Sequence, residues 1–322
     1  MAKPEFDVVG LGVNTCDLTA FIHGYPQPDT KQAMQDFTVQ GGGMTATAMV
    51  ACARLGLKTR YIGKTGSDFW SRLSIRSLAK EGIDTKAVIR HPTSPGQISV
   101  VLADQLTGQR TLFTRRPVDF GIKSHELNKE HLLAGRLLHL DGIDVPASLQ
   151  AVQWAREAGM IITMDGERLV PGIEDVVPYL DQLIANPVFL TNFTHCQSRH
   201  EALQSLSALG VKRVAVSLAE KGVLGYENET FFEVPGFQIE AVDTNGAGDV
   251  LHGACAFGEL RHWPFAWTLT FACAVAAMKC RALGGRQAIP TLAETKQFLT
   301  QHGHHEIVEV IDREDASKPS TS

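Results

Sequence analysis

Short apolar runs separated by helical patterns recur along this chain, and that rhythm restricts its fold more than any other feature. Residues 7–12, 60–63, 136–140, 161–164, 182–185 and 211–217 read as strands. Helical periodicity fills much of the space between them, at 45–55, 69–81, 148–158 and 200–209. Parallel strands need a crossover to rejoin their sheet, so the alternation predicts an α/β fold: a three-layer, doubly wound, mostly parallel sheet with helices on both faces. With 322 residues, 44% of them hydrophobic, and a mean hydropathy of −0.04, the chain can bury a core of that size.

Two segments depart from the rhythm. Residues 31–40 and 97–115 mix polar and apolar positions in strand-like fashion, with a hairpin turn expected over Asp104-Gln105-Leu106-Thr107-Gly108-Gln109. They predict a small second sheet. After a last strand-like run at 237–242 the chain turns helical, through 246–260, 264–282 and 292–301. The end, from Glu314 to Ser322, is polar and reads as a frayed tail.

Net charge is −5 and the 30 basic residues are scattered, so no basic stripe advertises a nucleic-acid surface and a small-molecule partner is expected. Six cysteines form no CxxC pair and read as reduced core thiols. No apolar run approaches the ~20 residues of a membrane helix, and the N-terminus carries no signal-like stretch. A cytoplasmic protein with no membrane partner is expected.

The densest chemistry lies in Asp243-Thr244-Asn245-Gly246-Ala247-Gly248-Asp249, between the strand-like run and a helix of small residues. Glycines at such a junction uncover backbone amides, so Gly246, Ala247 and Gly248 can line an anion site that the helix dipole reinforces. A carboxylate in the first turn, Asp249, could take a proton from a hydroxyl while the amides hold a phosphoryl group. A tight turn with an aspartate near a helix N-terminus is the competing reading.

Other motifs are weaker. Gly10-Leu11-Gly12 lacks the last glycine and the following helix of a dinucleotide fingerprint, while Gly63-Lys64-Thr65 has Lys58 where a phosphate-binding loop needs glycine. Asn14 and Asp17 offer an amide and a carboxylate at a strand's C-terminal end, where open α/β sheets bind ligands. Gly41-Gly42-Gly43 opens an alanine-rich helix and would let a ligand approach the backbone. Asp141 and the Asp165-Gly166-Glu167 turn place further carboxylates at strand ends, as ligands or as turn formers. Lys31, Arg115 and Arg116 in the irregular segments could reach an anionic group. His302, His304 and His305 match metal spacing only loosely.

Together, Gly42-Gly43 with Ala53-Arg54-Leu55-Gly56, and the 243–249 segment, resemble the two signatures of the ribokinase-like, PfkB-type carbohydrate kinases, in order over roughly residues 6 to 300. The resemblance implies one kinase domain over 1–302, with lid strands from about 13–40 and 93–117, and a polar tail over 303–322. It implies ATP-dependent phosphorylation of a sugar or nucleoside hydroxyl with Mg²⁺, and a homodimer joined through the lid is expected with it. Asp249 then resembles the catalytic base and Gly246 to Gly248 the anion hole. Asn14, Asp17, Gly42 and Gly43 resemble sugar contacts, joined by Lys31, Thr47 and Asp141 as candidates. Asn186 resembles the asparagine of the NxxE element. Ser217, Ala219 and Gly222 fall in the nucleotide loop, with Thr244 as a further nucleotide contact. Asp243 and Asn245 correspond to positions near a monovalent-cation site, which makes K⁺ a candidate.

There are departures. Thr47 stands where many members carry Asn, Phe189 where NxxE has Glu, and Ala219 where the loop has Gly. The runs Gly41-Gly42-Gly43 with Ala46-Thr47-Ala48, and Ala276 to Cys280 with Gly284-Gly285-Arg286, look most like the ketohexokinase and sulfofructose kinase branch, which implies a ketose or ketose derivative. A nucleoside kinase of the same fold and a non-catalytic sugar-binding regulator are the alternatives.

Overall fold

The computed structural model describes residues 4–107 and 110–316. The chain enters the main sheet as β1 (Phe6–Leu11), then leaves it for β2 (Thr15–Ile22) and β3 (Asp36–Gly42) of a small sheet. Helix α1 (Met44–Arg54) leads back to β4 (Thr59–Ile62). The short pair β5 (Lys64–Thr65) and β6 (Ile89–Arg90) brackets α2 (Phe69–Lys80), and β7 (Ile98–Asp104) and β8 (Arg110–Arg115) complete the small sheet. Next come α3 (Lys129–Leu132), β9 (Gly135–Leu140), α4 (Val145–Glu157), β10 (Ile161–Gly166) and β11 (Gln182–Ala185). After α5 (Pro187–Thr194) and α6 (Arg199–Ala208) the sheet ends in β12 (Arg213–Ser217), β13 (Val223–Glu227) and β14 (Thr230–Val234). Four helices follow: α7 (Ala247–Leu260), α8 (Phe265–Lys279), α9 (Leu292–Gln301) and α10 (His305–Ala316).

The main sheet runs β14-β13-β12-β11-β10-β9-β1-β4, parallel from β4 to β12 and antiparallel at β13 and β14. Its strands bury both faces, which is why they read as continuous apolar runs. Val8, Leu137, Ile184 and Ala215 face α1, α7 and α8; Val9, Leu138, Ile162, Leu183 and Val214 face α4 to α6. The small residues of α1 and α7 have a specific use. A Cβ at Gly253 would collide with the Ala48 carbonyl, and Cys52 Sγ donates to the Gly253 carbonyl at 3.3 Å, so the two helices meet at backbone distance.

The small sheet has the order β3-β2-β7-β8. Strand β3 starts only at Asp36, and Lys31 lies outside it, exposed, in the preceding coil. Gly108 and Gln109 of the expected hairpin turn lie outside the described residues. Residues 237–242 are not a strand. The Val242 and Asp243 amides both donate to the Cys280 carbonyl, at 2.8 and 3.2 Å, so this run is tied to the end of α8 rather than to a ladder. Nor are residues 303–316 a polar tail. Ile307 and Ile311 of α10 are buried, and Glu314 accepts from Trp263 Nε1 at 3.1 Å and pairs with Arg261 at 3.0 Å. His302 and His304 pack around the Phe237 ring, and no group of metal-ligating side chains occurs among the described residues.

Candidate active site

Two glycine turns build the site. Gly43 precedes α1 with φ 93°, where a Cβ would lie 2.6 Å from the Val13 carbonyl. Gly246 precedes α7 in the left-handed region at φ 77°, where a Cβ would lie 2.7 Å from the Gly285 carbonyl. No side chain caps α7, which leaves the first-turn amides over Ala247, Gly248 and Asp249 for a ligand. Space is open at Gly248, where a Cβ would meet nothing within 4 Å.

Asp249 sits in that turn, half-buried. Burial raises its carboxyl well above the usual range, the acidic neighbours Asp165, Glu167 and Asp17 add to this, and Arg286 opposes them. A carboxylate held high is a stronger base toward an alcohol. Asp17, from β2, is also raised by burial, against the 2.6 Å hydrogen bond donated by Thr15 Oγ1 and the nearby Arg286, Ser99 and Asn245. A side chain at Gly42 would strike the Asp17 carboxylate, so glycine there gives this aspartate its place. Asn14 donates from Nδ2 to Ser74 Oγ at 2.8 Å, while its buried Oδ1 has no hydrogen-bond partner among the described residues. An acceptor oxygen left bare in a polar recess is what a ligand hydroxyl would satisfy.

Arg286 binds these parts together and was not among the sequence candidates for the site. It is 6% exposed and donates from Nε to Thr47 Oγ1 (3.0 Å), from Nη1 to Ser77 Oγ (3.1 Å) and from Nη2 to the Gly42 carbonyl (2.6 Å). Burial lowers its pKa to about 10, against the pull of Asp17 and Asp249. Arg54, of the first signature, grips the same segment: it donates to the Ile289 carbonyl at 2.8 Å and pairs with Glu81 at 2.7 Å. Beneath Asp249, His252 Nε2 stands 3.1 Å from Asp165 Oδ1, and the neighbouring His139 bonds Thr163. Burial drives His139 down to about 3, so it is neutral.

Several sequence candidates do other work. Asp141 is buried and accepts from the Val13 amide (2.6 Å), the Ile143 amide (3.2 Å) and Thr45 Oγ1 (2.9 Å), so it positions the turn before Asn14 instead of meeting an acceptor. Burial pushes its carboxyl up to about 6. Thr47 is buried and occupied by Arg286. The cations expected to reach an anionic group are spent or exposed elsewhere: Arg116 pairs with Asp144, Arg115 donates to the Gly96 carbonyl, and Lys31 lies in exposed coil.

On the opposite side, Asn186 caps α5 by accepting from the Phe189 amide at 2.7 Å, and its Nδ2 donates to the Glu167 carbonyl at 3.1 Å. Phe189 is buried, stacked on Phe193. The loop after Ser217 is tight. Ala219 takes φ 53°, the left-handed region that suits a glycine, and the Leu218 amide donates to the Gly222 carbonyl at 2.7 Å. Thr244 Oγ1 accepts from Arg110 of β8 at 2.9 Å, joining the small sheet to the glycine turn. Asp243 is fully engaged: its Oδ1 and Oδ2 accept from the Asn245 and Gly284 amides, both at 2.8 Å, and its carbonyl from Lys279 Nζ at 2.8 Å. Asn245 is buried beside it. The Asp243 carbonyl, an oxygen that a K⁺ at this position would approach, is thus already held by the Lys279 ammonium.

A buried carboxylate beside an uncapped glycine turn is an arrangement suited to phosphoryl transfer to an alcohol, and the comparisons agree with that class. Residues 4–292 match the pfkB family of carbohydrate kinases, and the chain belongs to that family. It is similar to fructokinase-1 of Zea mays, 26% identical over 285 residues, covering 80% of this chain and 88% of that one. It is also similar to a nucleoside kinase of Methanothermobacter thermautotrophicus, 25% identical over 304 residues, covering 92% and 97% of the two chains. Among solved structures, ribokinase from Thermotoga maritima superposes with a TM-score of 0.80 at 26% identity, over 92% of this chain and 99% of that one.

Proposed function

We propose that the protein transfers the γ-phosphoryl group of ATP to a primary hydroxyl of a small neutral sugar, a ketose first among the candidates. The observation that carries this reading is Asp249 in the uncapped turn at Gly246–Gly248, its carboxyl raised by burial and by Asp165, Glu167 and Asp17. The acceptor would lie among Asp17, Asn14 Oδ1 and Asp249, so that its hydroxyl proton passes to the Asp249 carboxylate as its oxygen attacks phosphorus. The first-turn amides of α7 would take the charge growing on the transferred group. Mg²⁺, when bound, neutralises phosphate charge. Glu167 at the rim, raised by partial burial and by Asp165, is the carboxylate suited to approach it, in keeping with Mg²⁺ sites that use one or two carboxylates plus phosphates.

The carboxylates Asp17, Asp165 and Glu167 acting on Asp249 favour a neutral acceptor over an anionic sugar. The similarity to a nucleoside kinase keeps a nucleoside as the second candidate. The test is ADP release with a panel of ketoses, aldoses, sugar acids and nucleosides. One neutral class should give saturable turnover, and Asp249→Asn should abolish it while nucleotide binding survives. Near-normal turnover in that variant would sink the mechanism.

The small sheet serves as a lid in this reading. It carries Phe37 on β3 and the cross-strand pair Val100 and Phe113 on β7 and β8, all exposed, which suits burial against a second copy. Light scattering should report a dimer, and a monomer at assay concentrations would refute the pairing. Six free thiols, five of them buried, support a cytoplasmic setting, and among the described residues no helix is long and apolar enough to cross a membrane.

A further inference from the structure

Lys279 is the last residue of α8 and is 0% exposed. Its ammonium donates to the Asp243 carbonyl at 2.8 Å, and no carboxylate forms an ion pair with it among the described residues. An ammonium buried on a carbonyl without a contact counter-ion is costly unless the site uses its charge. The surroundings indicate that use. Asp243 begins the 243–249 segment, its carboxylate joins that segment to Gly284, and its carbonyl ties the segment to Lys279 at the end of α8. Burial lowers the Lys279 ammonium from its ordinary value; Asp243, Cys280 and Asp249 oppose this by favouring its charged form, and Arg110 of β8 adds to it.

A carbonyl oxygen at the neck of an anion-binding turn is what a monovalent cation coordinates. Here that oxygen already holds a cation that belongs to the chain. A second positive charge placed beside it in a medium of low dielectric would be repelled by the ammonium already there.

We propose that the Lys279 ammonium is a built-in monovalent cation: it braces the Asp243 carbonyl and supplies fixed positive charge beneath the anion turn, so that phosphoryl transfer needs no K⁺. The statement rests on the kinase reading, and the test has one arm independent of it. In the first arm, initial rates with D-fructose or whichever sugar of the panel turns over are compared in KCl, NaCl and tetramethylammonium chloride at equal ionic strength. The wild type should vary by less than about twofold, whereas Lys279→Met should lose about tenfold or more in tetramethylammonium and regain part of it with K⁺ or NH₄⁺. In the second arm, thermal midpoints without sugar are compared in the same salts. The wild type should not distinguish K⁺ from Na⁺, and Lys279→Met should be stabilised by K⁺ specifically.

A wild-type enzyme stimulated several-fold by K⁺, or stabilised by K⁺ over Na⁺, overturns the proposal. So does a Lys279→Met variant of full activity in every salt. If that variant does not fold, the wild-type salt series decides alone. Absence of turnover with every sugar and nucleoside would count against the kinase reading, while the thermal arm would still judge Lys279.

Discussion

Arg286→Met removes a buried cation that holds down the carboxyl of Asp249, against three acidic neighbours that push it up. An opposite charge at 4–6 Å lowers a carboxylate by about 1–3 units. Arg286 spends its hydrogen bonds on Thr47, Ser77 and Gly42 and forms no contact ion pair among the described residues, so it acts on Asp249 through space. The sign follows from the chemistry. In the proposed mechanism Asp249 must be ionised to take the proton, and losing the cation makes it ionise at higher pH. The acid limb of kcat/KM should therefore move to higher pH, and the rate at a fixed pH on that limb should fall by up to about tenfold.

Stability should change less. The lost hydrogen bonds, each about 1–3 kcal/mol, are set against relief of a buried charge that costs several kcal/mol, so the net should stay within about 2 kcal/mol. Rate profiles from about pH 5 to 9, beside urea unfolding at neutral pH, separate the two effects. An acid limb that stays in place or moves to lower pH would refute the reasoning, because Arg286 would then not be the group opposing the acidic neighbours of Asp249.

Two further outcomes follow from geometry. Ala219→Gly should stabilise the fold by up to about 1 kcal/mol, since relief of the left-handed strain at φ 53° outweighs the added chain entropy, with little effect on kcat; denaturant midpoints check it. Asp141, pushed up to about 6 from an ordinary value near 4, binds its proton more tightly in the folded state. Its contribution to stability is full below about pH 4 and is lost as pH rises through about 6, so Asp141→Asn should flatten that part of the stability–pH curve, read by urea unfolding at several pH values.

What could be read from the sequence was mostly local. The βα rhythm gave the layers because each buried strand announces itself in four or five apolar residues. The glycine turns at 43 and 246 were legible because only a few residue types tolerate that backbone, and Asp249 follows within three positions. Arg286 escaped because its partners come from distant parts of the chain, Gly42 lying 244 residues away. Asp141 looked like a ligand because it ends a strand at the right edge of the sheet, yet the Val13 amide lies directly over it and claims its carboxylate. The run at 237–242 alternates like a strand but has no strand beside it. Helix α10 was hidden by its polar composition, although Ile307 and Ile311 sit four apart on one stripe and were enough to dock it.

The contact between Gly253 and Ala48 has a consequence for how such a site can diversify. Helices that touch through their backbones have no side chains between them to repack, so α1 and α7, which would carry the proposed acceptor floor and phosphoryl turn, are held together closely. Swapping residues along that seam would shift one half of the chemistry against the other. Adaptation to a new acceptor is thereby channelled into strands β2, β3, β7 and β8, which can change their surface without disturbing the alignment on which transfer depends.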